Sequence, residues 1–391
     1  MSYDVAVVGA GPAGAATAGH LAMRGWRVLL LDKATFPRDK ICGEALSPGA
    51  LPVLGRLGAL PAVEAAASPI GGARIRTAAF TCEGRYPDVP GLPSRGLAVP
   101  RLVLDPLLLA LAANRPGVTV ETGVAVRGLT FAGGRCTGLE TSAGHVAARA
   151  VVLAEGRTGQ LHPAMRRSKA PRRRMAFVAT FDGVEGLTDM LELDLRSATI
   201  QTVLSPQGNG RAALCVVSTG GPAAPLGAPP LEGLVRILRE DPILAERLAA
   251  AQPVSALKGM PLDPYWGDPA PMAGLVAVGD SLCHFDPITG EGMYRALRSA
   301  ELAADALDEA LQRDMPRLAA YAEDVTREFC WTYRFVDAVV ALTRHPGLAQ
   351  LAVRGLAARP ALADRMIGYQ GAMLPAERFF PDMLRVAVAA I

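Results

Sequence analysis

The sequence predicts an α/β protein: a strand–helix–strand unit at the N-terminus, a β-rich domain inserted into the α/β part, and a helical C-terminal tail. Three observations predict this. A glycine-rich turn joins two apolar runs within residues 3–32. Segments alternating in the manner of strands recur over 124–147 and 176–218. From Ala300 onward the pattern is almost wholly helical, punctuated by Pro316, Pro346 and Pro360.

The first elements follow from local chemistry. Val5 to Val8 is an apolar run that leads straight into Gly9-x-Gly11-Pro12-Ala13-Gly14, and a helical stretch continues to about Arg24. A second run, Val28 to Leu31, ends in Asp32 and Lys33. This order is the Rossmann-type strand, loop, helix, strand unit that binds a dinucleotide. Gly9 permits the tight turn, Gly11 lets a pyrophosphate approach the backbone, and Gly14 lets helix and strand pack closely. The helix that Pro12 and Ala13 open offers free N–H groups and a positive dipole end to the phosphates. Asp32 is placed to accept ribose hydroxyls. The apolar residues 5–23 are not read as a secretory signal, because a basic leading region is missing and Asp4 precedes the run.

Beyond this unit, Val126 to Phe131, a Gly133-Gly134 turn and Cys136 to Thr141 read as a small meander before the buried strand Ala150 to Ala154. Ala176 to Phe181, Thr199 to Leu204 and Ala212 to Val217 read as strands of a second domain, and Pro222 to Pro230 as a Pro/Ala-rich loop. A second nucleotide signature follows. The strand Gly274 to Val278 ends in Gly279-Asp280, then Pro287-x-x-Gly290-Glu291-Gly292-Met293 opens a helix. Asp280 is suited to sugar-alcohol hydroxyls. The N–H groups of residues 290–293 would face the negative charge that a reduced flavin carries on its N1–C2=O edge.

With Pro37-x-x-Lys40-x-Cys42-Gly43 and Arg101-x-x-x-Asp105 added, these blocks resemble the geranylgeranyl reductase family, within the para-hydroxybenzoate hydroxylase-like flavoproteins. The resemblance covers roughly residues 1–310. It implies FAD across the Rossmann-type domain, with a β-sheet substrate domain over the isoalloxazine ring. It implies a discontinuous FAD-binding domain of 1–75, 99–175 and 256–320, a substrate domain of 76–98 and 176–255, and a helical region of 321–391. Arg101 would lie along the ribityl–pyrophosphate part, Asp280 would hold the ribityl chain, and Cys42 and Gly43 would sit near the ring. Lys33, Val126, Pro287, Gly290, Glu291, Gly292 and Met293 complete the expected cofactor set with Gly9, Gly11, Pro12, Ala13, Gly14, Asp32 and Gly279.

Two departures from the family pattern stand out. Glu155-Gly156 replaces the usual Asp-Gly, a methylene longer. Where many prenyl reductases carry a Tyr-x-Trp-x-Phe-Pro wall, this chain has Gln201-Thr202-Val203-Leu204-Ser205-Pro206. The substrate therefore need not be a long prenyl chain. The Trp-x-Trp-x-Ile-Pro run of flavin halogenases is absent, with Trp26, Trp266 and Trp331 isolated, which counts against halogenation.

Candidate catalytic residues are Cys42, which would relay a proton to a substrate carbon or simply pack in a Cys-Gly turn, and His284, with Glu44 as a further acid or base. Tyr265 and Trp266 read as closing a loop. The basic run of Arg166, Arg167, Lys169, Arg172, Arg173 and Arg174 reads first as a solvated loop. Its other uses are a dock for NADPH phosphates or contact with an anionic lipid or phosphorylated substrate.

Composition narrows the class. The chain has 391 residues, 50% hydrophobic and 20% charged, with a net charge of +3 and mean hydropathy +0.25. That charge gives no argument for nucleic acid. Six scattered cysteines and five histidines without ligand spacing argue against a structural metal and fit reduced thiols in a cytoplasmic enzyme. Outside the N-terminal run, no stretch reaches about eighteen uninterrupted apolar residues, so no spanning helix is expected. The arginine-bearing helices of the tail pack on their own domain, with peripheral contact at the inner face of the membrane as the second use. No feature specifies an oligomer. The expectation is an FAD-dependent oxidoreductase, with NADPH or NADH as donor, that reduces an activated C=C bond of a hydrophobic small molecule. Alternatives are a flavin monooxygenase that hydroxylates or epoxidises an aromatic, polyketide or isoprenoid substrate, and a non-catalytic flavin-binding protein.

Overall fold

A computed structural model describes the chain except residues 1–2, 43, 169–173, 220–225, 228–229, 314–317 and 391. Gly43, Lys169, Arg172, Arg173, most of the Pro222–Pro230 loop and Pro316 therefore lie outside the described residues.

The Rossmann-type sheet grows from the two apolar runs. Tyr3–Val8 pairs in parallel with Val28–Asp32 on one side and with Gly144–Leu153 on the other. Val118–Thr122 closes the first edge, and Leu275–Ala277 pairs with the far half of Gly144–Leu153. The expected meander is present as Val126–Ala132 and Arg135–Thr141, antiparallel onto Gly144–Leu153. Strands buried on both faces read as unbroken apolar runs, as Val5–Val8 and Val28–Leu31 do. The first helix, Pro12–Ala22, is buried from Pro12 to Leu21. It packs against the helices Arg101–Ala113 and Gly292–Leu311.

A second sheet runs in the order 252–253, 174–182, 211–219, 200–208, 190–194, 72–76, 81–85, with 258–261 also on 174–182. Its strands at 174–182, 200–208 and 211–219 lie where the alternation places them. Met190–Asp194 does not follow from alternation. It pairs in parallel with Gly72–Arg76, more than a hundred residues away. This sheet starts at Gly72, four residues before the expected boundary, and takes up Lys258–Pro261 from the segment assigned to the cofactor domain. One face packs on the helices Pro230–Arg239 and Pro242–Arg247 through Phe177, Ala179, Leu204, Leu214 and Val216. The alternate residues face the cofactor domain.

Tyr265–Gly267, expected as a loop, is a strand between Arg166–Ser168 and Cys283–His284. The tail forms the helices Ala319–Thr343, Pro346–Ala357, Pro360–Gln370 and Phe379–Ala390. Pro346 and Pro360 open their helices, where a missing N–H costs nothing. The helix Pro360–Gln370 lies so close to the sheet edge that a Cβ on Gly84 would sit 2.6 Å from Ile367. Among the described residues, no helix is long and apolar enough to cross a membrane, and no group of His, Cys, Asp and Glu could hold a metal ion.

Candidate active site

A cavity of about 730 Å³ runs between the two sheets, from Asp32 past Gly11 to Gly290 and Gly292. The glycine turn builds its floor. Gly9 has φ +103°, and a Cβ there would meet the Ala154 carbonyl oxygen at 2.4 Å. A Cβ on Gly14 would stand 1.8 Å from the Gly9 oxygen. These two positions tolerate only glycine, one for conformation and one for close packing. Gly9, Gly11, Pro12 and Ala13 line the cavity, whereas Gly14 and Gly279 support it from behind. The Asp32 carboxylate accepts the N–H groups of Ala10 and Ala34, each at 2.8 Å, and faces the same space. Lys33 and Val126 flank it.

Three cations converge beside Gly11: Arg101, expected along the cofactor, Lys40, quoted in a family block without a role, and Arg38, which motif reading passed over. Arg38 Nη2 lies 3.8 Å from Asp32 and 3.7 Å from Asp105, with its guanidinium 5.0 Å above the Phe36 ring. Arg101 is tied to Asp105 by two hydrogen bonds of 2.5 and 2.7 Å. Lys40 reaches into the cavity. Its ammonium makes no hydrogen bond or ion pair with any other described residue, and a Cβ on Gly156 would lie 2.8 Å from Nζ. Burial, then Arg101, hold its pKa below the ordinary lysine value. The signal was present in sequence, as Arg38-Asp39-Lys40 follows the Asp32 strand closely.

At the other end, the turn Pro287–Thr289 passes through Gly290 in a left-handed conformation (φ +73°), and a Cβ there would meet open space. The helix Gly292–Leu311 starts with no side chain capping it, so its first N–H groups are left for a ligand. Gly290, Gly292 and Met293 line the cavity, as does Pro287. Glu291 does not. Its carboxyl is 1% exposed and accepts the Thr289 hydroxyl at 3.1 Å. Burial pushes its pKa up to about 8.

Asp280 lies between Arg295 Nη2 (3.5 Å) and His284 Nδ1 (3.7 Å), with its side chain about 31% exposed to the cavity. Burial acts to raise its pKa. His284, Arg295 and Lys40 override that and hold it well below the carboxylate range. Tyr265 donates its hydroxyl to the Asp280 carbonyl oxygen, so the strand missed in sequence positions the second signature. Both His284 ring nitrogens are buried without a hydrogen-bond partner among the described residues.

Cys42 lines the cavity with its Sγ accepting the Glu44 N–H at 3.2 Å. Glu44 is held at φ +61°, a left-handed conformation unusual for its type. Four bonds secure it: the one to Cys42, Val99 N–H on its carbonyl, Arg101 N–H on Oε1, and Gln207 Nε2 on Oε2. Its carboxylate thus ties the two sheets together instead of standing free as an acid or base. Glu155 turns into its own loop, accepting the Gln160 N–H at 3.1 Å while still lining the cavity, so a local turn absorbs the extra methylene.

The basic run divides at its ends. Arg166 donates to the carbonyls of Arg157 and Gly156 and lies 4.8 Å over the Tyr265 ring. Arg174 is 1% exposed and bonds Asp286 and Gln201, so the reading of it as part of a solvated loop or surface dock is overturned.

These residues fit FAD. The open arc over Gly11, Gly290 and Gly292, the ammonium of Lys40 that bonds to no other described residue and the uncapped helix are what a dinucleotide with a flavin ring requires. Asp32 would hold the adenosine ribose, Lys40 and Arg38 with the first helix the pyrophosphate, and Asp280 the ribityl chain. Residues 2–178 match the FAD binding domain model. The chain is 32% identical over 343 residues to a menaquinone reductase of Mycobacterium tuberculosis, covering 81% of this chain and 78% of the relative. This chain belongs to the geranylgeranyl reductase family of FAD-dependent oxidoreductases. Other relatives are a digeranylgeranylglycerophospholipid reductase of Methanopyrus kandleri (29% identity, 86% of this chain and 85% of the relative) and a 6-methylpretetramide 4-monooxygenase of Streptomyces rimosus (28%, 87% and 80%). Among solved structures, a geranylgeranyl bacteriochlorophyll reductase-like protein of Thermoplasma acidophilum superposes with TM-score 0.77 at 22% identity, covering both chains fully. A flavin-dependent brominase superposes with TM-score 0.82 at 20% identity, covering 97% of this chain and 98% of its own. At these identities the structures speak for the shared fold alone.

Proposed function

We propose that this FAD-dependent oxidoreductase reduces an activated C=C bond in a hydrophobic small molecule, with NADPH or NADH as electron donor. The observation that carries the reading is the apolar wall opposite the glycine turn. Ala176, Val178, Leu193, Val203, Val217 and Met260 all face the cavity that begins at Asp32. A neutral apolar guest is what such a wall stabilises. FAD, when bound, supplies the hydride. Cys42 holds a proton at Sγ beside the cavity, within reach of the Glu44 N–H that orients it, and delivers it to the second carbon. Asp280, kept ionised by Arg295, His284 and Lys40, fixes the cofactor sugar. The names of the reductase relatives support the same direction.

The test is anaerobic. The reduced protein is mixed with menaquinone or a geranylgeranylated glycerophospholipid, and oxidation of the flavin is followed together with the product mass. The reading predicts oxidation without O₂ and a product with two added hydrogens. Cys42→Ala is expected to slow the step by about 10²-fold without loss of FAD. The 6-methylpretetramide monooxygenase relative favours a second reading, oxygenation, in which turnover stops without O₂ and the product gains an oxygen atom.

A further inference from the structure

The imidazole of His284 is buried against the cavity with its bonds unmade. The residue is 4% exposed and lines the cavity, and neither ring nitrogen has a hydrogen-bond partner among the described residues. Buried polar groups are nearly always bonded, and one left unmade is costly. Nδ1 stands 3.7 Å from the Asp280 carboxylate, within electrostatic reach but beyond a hydrogen bond. The other polar groups around the ring are committed elsewhere. Tyr265, whose ring centroid lies 5.9 Å away, donates its hydroxyl to the Asp280 carbonyl oxygen. Arg166, over Tyr265, donates to the carbonyls of Arg157 and Gly156. Arg295 lies 4.1 Å from the Phe285 ring centroid and 3.5 Å from Asp280. Arg174 bonds Asp286, two residues further on. Cys283, on the same strand, is buried with its thiol pushed up to about 12. The missing partner therefore belongs to whatever fills the cavity.

A proton on Nδ1, facing Asp280, leaves Nε2 to answer the ligand. It accepts when the ring is neutral and donates when the ring is charged. In chain order His284 falls between Asp280 and residues 290–293, whose N–H groups would face the charge of a reduced flavin. Asp280 attracts positive charge to the ring, whereas Arg295 and Lys40 repel it. The negative charge of a reduced cofactor adds to the side of Asp280. We propose that His284 Nε2 hydrogen-bonds the bound FAD, and that His284 is where the protein takes up a proton as the cofactor is reduced. Alongside the two electrons and one proton of cofactor reduction, Nε2 takes one further proton from solvent and releases it on reoxidation. This rests on the reading of the cavity as the FAD site.

The experiment compares the wild type with His284→Phe and His284→Gln. FAD affinity is read by fluorescence titration of the flavin-free protein. The midpoint potential of the FAD-loaded protein is read anaerobically, with dithionite and a reference dye, from pH 6 to pH 8. His284→Phe is expected to bind FAD about tenfold more weakly, and His284→Gln, which keeps a hydrogen-bonding amide, to recover part of that loss. The wild-type potential should fall with pH more steeply than that of either variant. One proton per two electrons changes the equilibrium tenfold per pH unit, so the slopes should differ by up to about 30 mV per pH unit. If His284→Phe does not fold, His284→Gln carries the comparison of slopes. A residue that merely packs would lower affinity without moving the slope. Parallel slopes in proteins that hold FAD would therefore overturn the proposal alone. A wild-type protein that holds no FAD would overturn the cofactor reading beneath it as well.

Discussion

Lys40 and Glu291 show how one side chain's surroundings assign its work. Lys40 is surrounded by Arg101, Asp280, Arg38 and Asp105 yet bonds to none of them, so an anion between Asp32 and Asp280 is its natural partner. Lys40→Met is expected to weaken FAD binding by about tenfold in a fluorescence titration, with Lys40→Arg recovering part of the loss. Unchanged affinity in Lys40→Met would remove it from the phosphate site. Glu291 faces away from the cavity with a carboxyl pushed up to about 8 by burial. The folded state therefore favours its protonated form. That contribution to stability is fully present below the ordinary carboxylate range and is lost as pH rises toward 8. Glu291→Gln should match the wild type in thermal midpoint near pH 5 and exceed it by several degrees at pH 9. Parallel curves for the two proteins would contradict the buried-acid assignment.

At the scale of elements, local chemistry was legible in sequence and long-range pairing was not. The Gly9 to Gly14 turn could be read because much of its constraint is local: Gly9 needs a positive φ, and a Cβ on Gly14 would meet the Gly9 oxygen. The strands 174–182, 200–208 and 211–219 could be read from alternation. Arg174 could not: in sequence it ends a basic run, and its burial is decided by Asp286 and Gln201, far along the chain. Tyr265 escaped for the same reason, because its strand exists only between 166–168 and 283–284. The Arg174–Asp286 pair, each side chain 1% exposed, joins the second sheet to the turn that precedes the cofactor helix. Arg174→Met removes a buried cation that bonds Asp286 and should cost roughly 3 kcal/mol in denaturant unfolding. A change under about 0.5 kcal/mol would show that the pair does not hold the two parts together.

Across the whole molecule, two sheets meet over one cavity, and each brings a different chemistry. The Rossmann-type sheet contributes turns, helix ends and charges suited to a dinucleotide. The second contributes a neutral apolar wall suited to a greasy guest. Glu44 and Gln207 join them at one point, and Arg174 and Asp286 at another. The family membership rests on similarity over most of the chain, and it is in the second sheet that this chain departs from the aromatic wall of prenyl reductases. The most direct test of the account is the visible spectrum of the purified protein incubated with FAD, desalted, and titrated anaerobically with NADPH. The account predicts retained flavin bands that bleach with the donor and return on admission of air. A protein that emerges colourless after incubation with FAD would contradict it.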